Sequence, residues 1–480
     1  MKNKMVILFV LAVLFSACAA KGEIHRQDAE VPKEPTVPLS LPLIADAVYK
    51  DNGLVQSVHI PSNECTNVTA SPTVIGQWLV YPMHDYGHAC EEHSKYYRSL
   101  LGYNIVDGKL YQIYDGGTGE APVLYQPDEN LIYWNVTFGG TVLLFDAQTF
   151  EMVKQVGIGT TSDSGGAYLD GYYYFGTVNT PNDNCQSPIN SDCGALVAID
   201  AEGTVVHKLN TDDGFRSWIG TSVTTDGEYL YFGSAAQTVG DKSGDETEYL
   251  YGCSVIKTDK QLNVIASFDP GDLACYKQPF DGANIDSVGG EVVFDDAGLW
   301  VQYVRPNDRE MVSGLYRLNY SLEEICRVEY DYEPQTQSVG FYTGPTIDRG
   351  GNAYVVISVP DDLYVRRGLL QMVSPDCRTT TLAEVPGSFA HATPTLADDQ
   401  YILFATDGLL QILAFDGNLV QEYVLASQAR VLTSPIIHEK IIYVLQEDGT
   451  LNIIENTGIE GYGDAIWPRY RHDNYAAAQH

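Results

Sequence analysis

The sequence predicts an all-β fold, an eight-bladed β-propeller of four-stranded antiparallel blades stapled by disulfides, with seven blades as the alternative count. Three observations carry this. One phrase, a turn followed by an aromatic and β-branched run, recurs eight times along the 480 residues. A small residue and a proline open a short strand ahead of many copies. A glycine-started strand ending in an Asp- or Asn-containing turn follows. Such runs are strand chemistry, and a supersecondary unit repeated at a spacing of roughly 40–70 residues is the signature of a propeller.

The chain opens as an export signal, residues 1–17. Met1–Lys4 is basic, and the apolar run Met5–Phe15 is too short and wrongly flanked to span a membrane stably. It ends in Phe15-Ser16-Ala17-Cys18, which resembles a bacterial lipobox with Phe in the place of the usual Leu. That resemblance implies cleavage before Cys18 and a diacylglycerol on its sulfur. An ordinary cleaved signal is the other reading. Ala19 and Ala20 carry no inner-membrane retention signal, so the expected location is the outer membrane, facing the periplasm or the cell surface. Residues 18–40 are polar and Pro-rich and read as a flexible tether. Residues 41–480 read as one propeller domain.

Blades are expected near 71–117, 120–159, 161–211, 218–271, 284–332, 340–387, 391–427 and 431–458. The first phrase is clearest in DGYYYFG from Asp170 and DGEYLYFG from Asp226. The second is seen in SPTVIG from Ser71 and TPTLAD from Thr393, where Pro is tolerated because a strand start has no interior donor to lose. The third is seen in GALVAIDAEG from Gly194 and GLLQILAFDG from Gly408. The eighth blade lacks an outer strand, and Gly53–Ile60 can supply it and close the ring, which hides two sheet edges.

These phrases resemble the quinoprotein-like, or PQQ-like, propeller repeats over about residues 50–475. The closing segment Trp467-Pro468-Arg469-Tyr470-Arg471-His472-Asp473-Asn474 is similar to a W-P-x-F-R-x-D segment flanking propellers in exported bacterial members of that group. The resemblance implies that Trp467 and Tyr470 pack where the first and last blades meet, with Arg469 or Arg471 paired to a carboxylate and the final AAAQH loose. True quinoprotein dehydrogenases of this fold hold PQQ, a calcium ion and an Asp base at the channel mouth, under a ring of adjacent cysteines. This chain has no Cys-Cys pair and no matching ligand set, so PQQ is not expected.

Strands alternate in direction, so the loops between second and third strands share a face with the links between blades. The long insertions fall there: Pro82–Leu100, Asn179–Cys193, Ala235–Gly252, Arg305–Ser313 and Pro360–Arg367. Function concentrates on long loops carried by a rigid scaffold. Setting Cys18 aside leaves eight cysteines and no CxxC, which reads as disulfides in an exported chain. The layout favours Cys65–Cys90, Cys185–Cys193, Cys253–Cys275 and Cys326–Cys377, although eight cysteines allow roughly a hundred pairings.

Three constellations carry candidate chemistry. Met83–His93 offers His84, His88 and His93 with Asp85, Glu91 and Glu92, which suits zinc; a polar loop held by Cys90 is the other reading. Asp241–Glu248 offers Asp241 and Asp245 around a Gly, which suits calcium but lacks the EF-hand register. Residues ahead of the first strands should ring the channel mouth: Asp163, Arg216 and Trp218, Asp286, Tyr342, His391 and Arg430. Trp, Tyr, Arg and His are pocket anchors, and a plugged channel is the alternative. GTSVT from Gly220 and SDSGG from Ser162 look like serine-enzyme fragments but fall at first strands, so no catalytic residue is assigned.

Lys and Arg total 28 against 63 Asp and Glu, a net charge of -35, which excludes nucleic acid as a partner and repels anionic headgroups. The expectation is a monomeric, non-enzymatic envelope lipoprotein binding a protein or glycan through its loop-rich face, with no required cofactor. The alternative is a cofactor- or metal-dependent enzyme, a quinoprotein-type oxidoreductase or a polysaccharide lyase, acting at the channel mouth.

Overall fold

A computed structural model describes residues 41–60, 66–85, 96, 98–137, 139–158, 162, 164–177, 195–210, 221–234, 238–240, 247–249, 254–268, 288–307, 310–332, 344–360, 366–386 and 392–473. Eight antiparallel blade sheets follow one another along them, with two small two-stranded sheets besides (Thr66–Asn67 with His84–Asp85, and Thr238–Gly240 with Thr247–Tyr249), and no helix occurs among these residues. Blades 1 to 7 are four-stranded and span 73–115, 124–157, 167–210, 224–268, 288–332, 346–386 and 395–424. The first strands of several neighbouring blades touch one another, which sets them around the axis.

The eighth blade is built from both ends of the chain. Its inner strands are Ile436–His438, Ile441–Leu445 and Leu451–Ile454. The fourth is Gln56–His59, with Val58 opposite Leu451 and Gln56 opposite Ile453. A fifth strand, Val48–Asp51, pairs on the outside of that one. Upstream, residues 41–44 lie along the outer strand of blade 1: Gln112 N–H donates to Pro42 O (2.9 Å) and Ile44 N–H to Leu110 O (3.0 Å). One N-terminal stretch therefore straps blade 1 to blade 8.

The repeated phrases become specific contacts. In the turn after the third strand of blade 2, Asp146 Oδ1 accepts the Gln148 and Thr149 N–H groups (2.9 and 2.8 Å). Asp259 does the same for Gln261 and Asn263 in blade 4 (3.0 and 2.8 Å). These Asx turns explain the recurrent Asp at that point. In each of blades 1 to 7 the pairing between third and fourth strands slips, as between Leu144 and Phe145 or Ile412 and Leu413. A bulge there increases the local twist, which lets flat sheets stack as blades.

The core is a set of inter-blade clusters. Trp78 and Trp134 join blades 1 and 2, Tyr103 meets Tyr443 across the closing seam, and Trp300, Phe294 and Tyr231 fill the space between blades 4, 5 and 6. Burying such rings removes the largest apolar areas from water, which is why the aromatic position recurs in every phrase.

The expected insertion Arg305–Ser313 is mostly sheet. Strands Gly298–Asn307 and Glu310–Asn319 stay paired to Asn307 opposite Glu310, so this segment lengthens the blade as a ribbon. Blade 6 does likewise up to Pro360 opposite Arg366. In both segments backbone pairing carries on past the limits at which Asn, Asp and Pro would end a strand.

Candidate functional site

The regions expected to bear a site are the loop-rich face and the axis beneath it. The C-terminal segment enters the axis from the short-turn face. Asp398, in the first turn of blade 7, accepts the Glu460 and Gly461 N–H groups (2.9 Å each at the closer oxygen). Tyr462 bridges Ala397, and its hydroxyl accepts the Ile437 N–H of blade 8 (3.0 Å). Trp467 then pairs through its backbone with Ile347 of blade 6 (2.8 and 3.0 Å), and Pro468 O accepts the Leu396 N–H of blade 7 (2.8 Å).

Past Tyr470 the chain reverses. Arg471 and His472 both have positive φ (64° and 67°), and His472 N–H donates to Arg469 O (3.0 Å). Left-handed backbone at two consecutive residues with Cβ atoms is costly and persists only where surroundings impose it. Those surroundings are polar and dry. The Arg471 guanidinium donates to Val223 O (3.0 Å), to Gly166 O and to Glu291 Oε1 (3.2 Å), while its backbone N–H donates to Glu291 Oε2 (2.9 Å). Both side chains are at most 1% exposed. Tyr470 shares a hydrogen bond with Ser222 (3.0 Å). Burial raises the Glu291 carboxyl above the usual range, opposed by Arg471. Burial also pushes the Tyr470 phenol up to about 12.

Glu291 owes its direction to a bulge. The first strand of blade 5 loses register between Gly289 and Val293, and Glu291 sits inside that break. A bulge re-aims a side chain, here toward the axis. Sequence reasoning missed this residue; a lone Glu after a Gly pair in an otherwise apolar strand was the available signal.

The expected packing of Trp467 and Tyr470 on the first and last blades is corrected. Trp467 meets Phe294 of blade 5 edge-on (ring centroids 5.7 Å apart) and Ile347 of blade 6, and Tyr470 reaches blade 4. The strap at the rim already closes the seam, so the tail fills the axis instead.

At the loop-rich end, His84 is fully buried where the blade 1 insertion begins. Its Nε2 lies 2.9 Å from Glu120 Oε1, and its Nδ1 lies 3.1 Å from Thr118 Oγ1. Thr118 in turn donates to Met83 O (3.1 Å), and the Glu120 N–H donates to Thr137 Oγ1 (3.2 Å). A metal at His84 would have to displace Thr118 or Glu120. Glu120, also missed in sequence reasoning, occupies the blade 1 to 2 link equivalent to the expected mouth ring. His84 and Glu120 thus join adjacent blades with both imidazole nitrogens engaged.

Arg430 stands exposed on the link between blades 7 and 8 and grips Glu447 with its guanidinium. Cys326 and Cys377 are bonded, with Cα atoms 6.0 Å apart, and staple the outer strand of blade 5 to the Ser374–Arg378 turn of blade 6. Cys18, Cys65, Cys90, Cys185, Cys193, Cys253, Cys275, His88, His93, Asp163, Arg216, Trp218, Asp241, Asp245, Asp286, Tyr342 and His391 lie outside the described residues. Among the described residues no group of three or more His, Cys, Asp or Glu is placed to hold a metal ion.

No family model matches the chain, and no curated protein matches it in sequence. Solved structures do match. BamB from Moraxella catarrhalis is 14% identical, with 86% of this chain and 99% of that one covered and a TM-score of 0.50. The quinohemoprotein alcohol dehydrogenase from Comamonas testosteroni is 11% identical, with 84% and 76% covered and a TM-score of 0.51. At these identities the likeness is one of fold alone.

Proposed function

We propose that this chain is a non-enzymatic envelope lipoprotein, lipidated at Cys18, that holds a protein or glycan partner on the loop-rich face of its propeller. The observation that carries the reading is the state of the axis. Arg471, Tyr470 and Trp467 lie buried in the axis and bond to residues at blades 3 to 6. That burial supports a reading without a quinone in the channel. What remains for recognition is the surface made by inter-blade links and long insertions, set on a rigid ring. The likeness to BamB is in keeping with an outer-membrane location and a protein partner. The alternative, chemistry at the channel mouth, would rest on Asp163, Arg216, Trp218, Asp286, Tyr342 and His391, which lie outside the described residues.

Photocrosslinking in intact cells tests this. A photoreactive side chain at Ala429, on the loop-rich face, should capture a discrete envelope partner. The same group at Glu439, in a first turn of the opposite face, should not. Equal capture from both positions, or none from either, overturns the face assignment. Cys18→Ser should move the chain from the membrane to the soluble fraction; unchanged fractionation and mass would end the lipoprotein reading.

A further inference from the structure

Asn52-Gly53 is the one Asn-Gly pair in the sequence. It sits in the turn between Val48–Asp51 and Gln56–His59, the strands that complete blade 8. Both residues are exposed, and Gly53 has a φ of +87°, which glycine adopts without strain. Nothing lies within 4 Å of the place where a Cβ on Gly53 would stand, so a new ring and an entering water both have room.

The contacts of this turn engage the atoms through which an asparagine loses its amide. The Gly53 N–H donates to Asp51 Oδ1 (2.7 Å). A carboxylate at that distance is placed to accept the proton from the nitrogen. Asn52 Oδ1 accepts the Leu54 and Val55 N–H groups (3.0 and 2.7 Å). Two backbone donors on one amide oxygen make its carbon more electrophilic and stabilise negative charge as it develops there, as an oxyanion hole does. The attacking nitrogen and the carbon attacked belong to adjacent residues, so the reaction is intramolecular.

We propose that this turn promotes deamidation of Asn52 in the folded chain, and that the product loosens the strand that closes the propeller. Asp51 takes the proton from the Gly53 nitrogen, which forms a bond to Asn52 Cγ. The bond from Cγ to Nδ2 then breaks, and Nδ2 leaves as ammonia with the proton that Asp51 held. Water opens the resulting succinimide at either carbonyl. One opening leaves an aspartate at position 52. The other leaves an isoaspartyl linkage, in which the main chain runs through Cβ and Cγ.

The isoaspartyl form adds a backbone atom to a turn that is closed by the Asn52 N–H donating to Val55 O (3.2 Å). Val55 is 3% exposed and packs in the cluster between blades 7 and 8. Either product also places a new negative charge beside Asp51 on a chain of net charge -35. The aged turn therefore holds Gln56–His59 less firmly against Leu451–Ile454.

The test follows the purified full chain at neutral pH and physiological temperature. Mass spectrometry of the peptide containing position 52 reads deamidation, and enzymatic methyl transfer counts isoaspartate. The same chain in guanidinium chloride is the reference, since it keeps the Asn-Gly pair and loses the turn. The folded chain should react about tenfold faster, less than a well-shielded base supplies, because Asp51 is exposed. Asp51→Asn keeps an oxygen acceptor for the Gly53 N–H and removes the base. It should slow the folded chain by about tenfold and leave the denatured rate little changed. Amide exchange at residues 55–59 should be faster in the isoaspartyl fraction than in fresh protein. A folded rate at or below the denatured rate, or an Asp51→Asn variant as fast as the parent when folded, overturns the role of the turn. Equal exchange in fresh and isoaspartyl protein overturns the loosening of the closing strand.

Discussion

Arg471→Met offers a stringent test of the axial plug. The substitution keeps most of the side-chain volume and removes the guanidinium paired with Glu291, in a site at most 1% exposed. Breaking a buried ion pair from one side costs about 3–5 kcal/mol, because the remaining charge stays desolvated. The Val223 and Gly166 carbonyls also lose a donor. In a domain of this length each kcal/mol corresponds to about 1–2 °C in Tm, by extension of the size scaling, so calorimetry should show a drop of about 3–10 °C. The loss should shrink toward acid pH. Burial raises the Glu291 carboxyl, and a carboxyl raised in the folded state regains stability as pH falls and it takes up a proton. Arg471→Met with Glu291→Leu should recover much of the loss, because no charge is left stranded. A single variant melting within a degree of the parent, or a double variant less stable than the single, would refute the reasoning.

Other outcomes follow from individual contacts. Non-reducing peptide mapping should find Cys326 joined to Cys377, and Cys326→Ser should cost about 4 kcal/mol of loop entropy by urea unfolding, for a sequence separation of 51. Gly166→Ala should destabilise by about 1–3 kcal/mol, since its Cβ would collide with the Tyr173 ring; an unchanged Tm would mean that the ring yields. Burial holds the His438 imidazole below the usual histidine range, with Glu439 opposing. Folding therefore disfavours its proton, and stability should fall as pH drops through that range. His438→Gln should flatten that part of the stability profile, measured by chemical denaturation across it.

The architecture was legible because a propeller is local. Each blade is one stretch of chain, so its turn, aromatic strand and Asx turn leave a readable phrase, and the blade limits agree with the sheets to within a few residues. The disulfide between Cys326 and Cys377 was legible for a similar reason, since both lie in neighbouring copies of the repeat. The ribbon extensions of blades 5 and 6 were read as loops because Asn, Asp and Pro punctuate them. Backbone pairing overrode that punctuation.

Contacts between distant repeats were not legible. Nothing in WPRYRHD says which blades it will meet, and the seam was the natural guess. The fold sends it into the axis because the N-terminal strap already occupies the seam and because the bulge at Gly289–Val293 turns Glu291 toward Arg471. His84 looked like a metal ligand in sequence because neighbouring acids and histidines crowd it. Its partners Thr118 and Glu120 are more than thirty residues away and meet it only when blades 1 and 2 stack. The sequence by itself determined the repeat, the strand chemistry within each blade and the acidic surface, all of which depend on neighbours in the chain. Which polar groups pair in the dry axis, and which apolar ones stay on the rim, was decided by ring closure, which sets residues hundreds apart side by side.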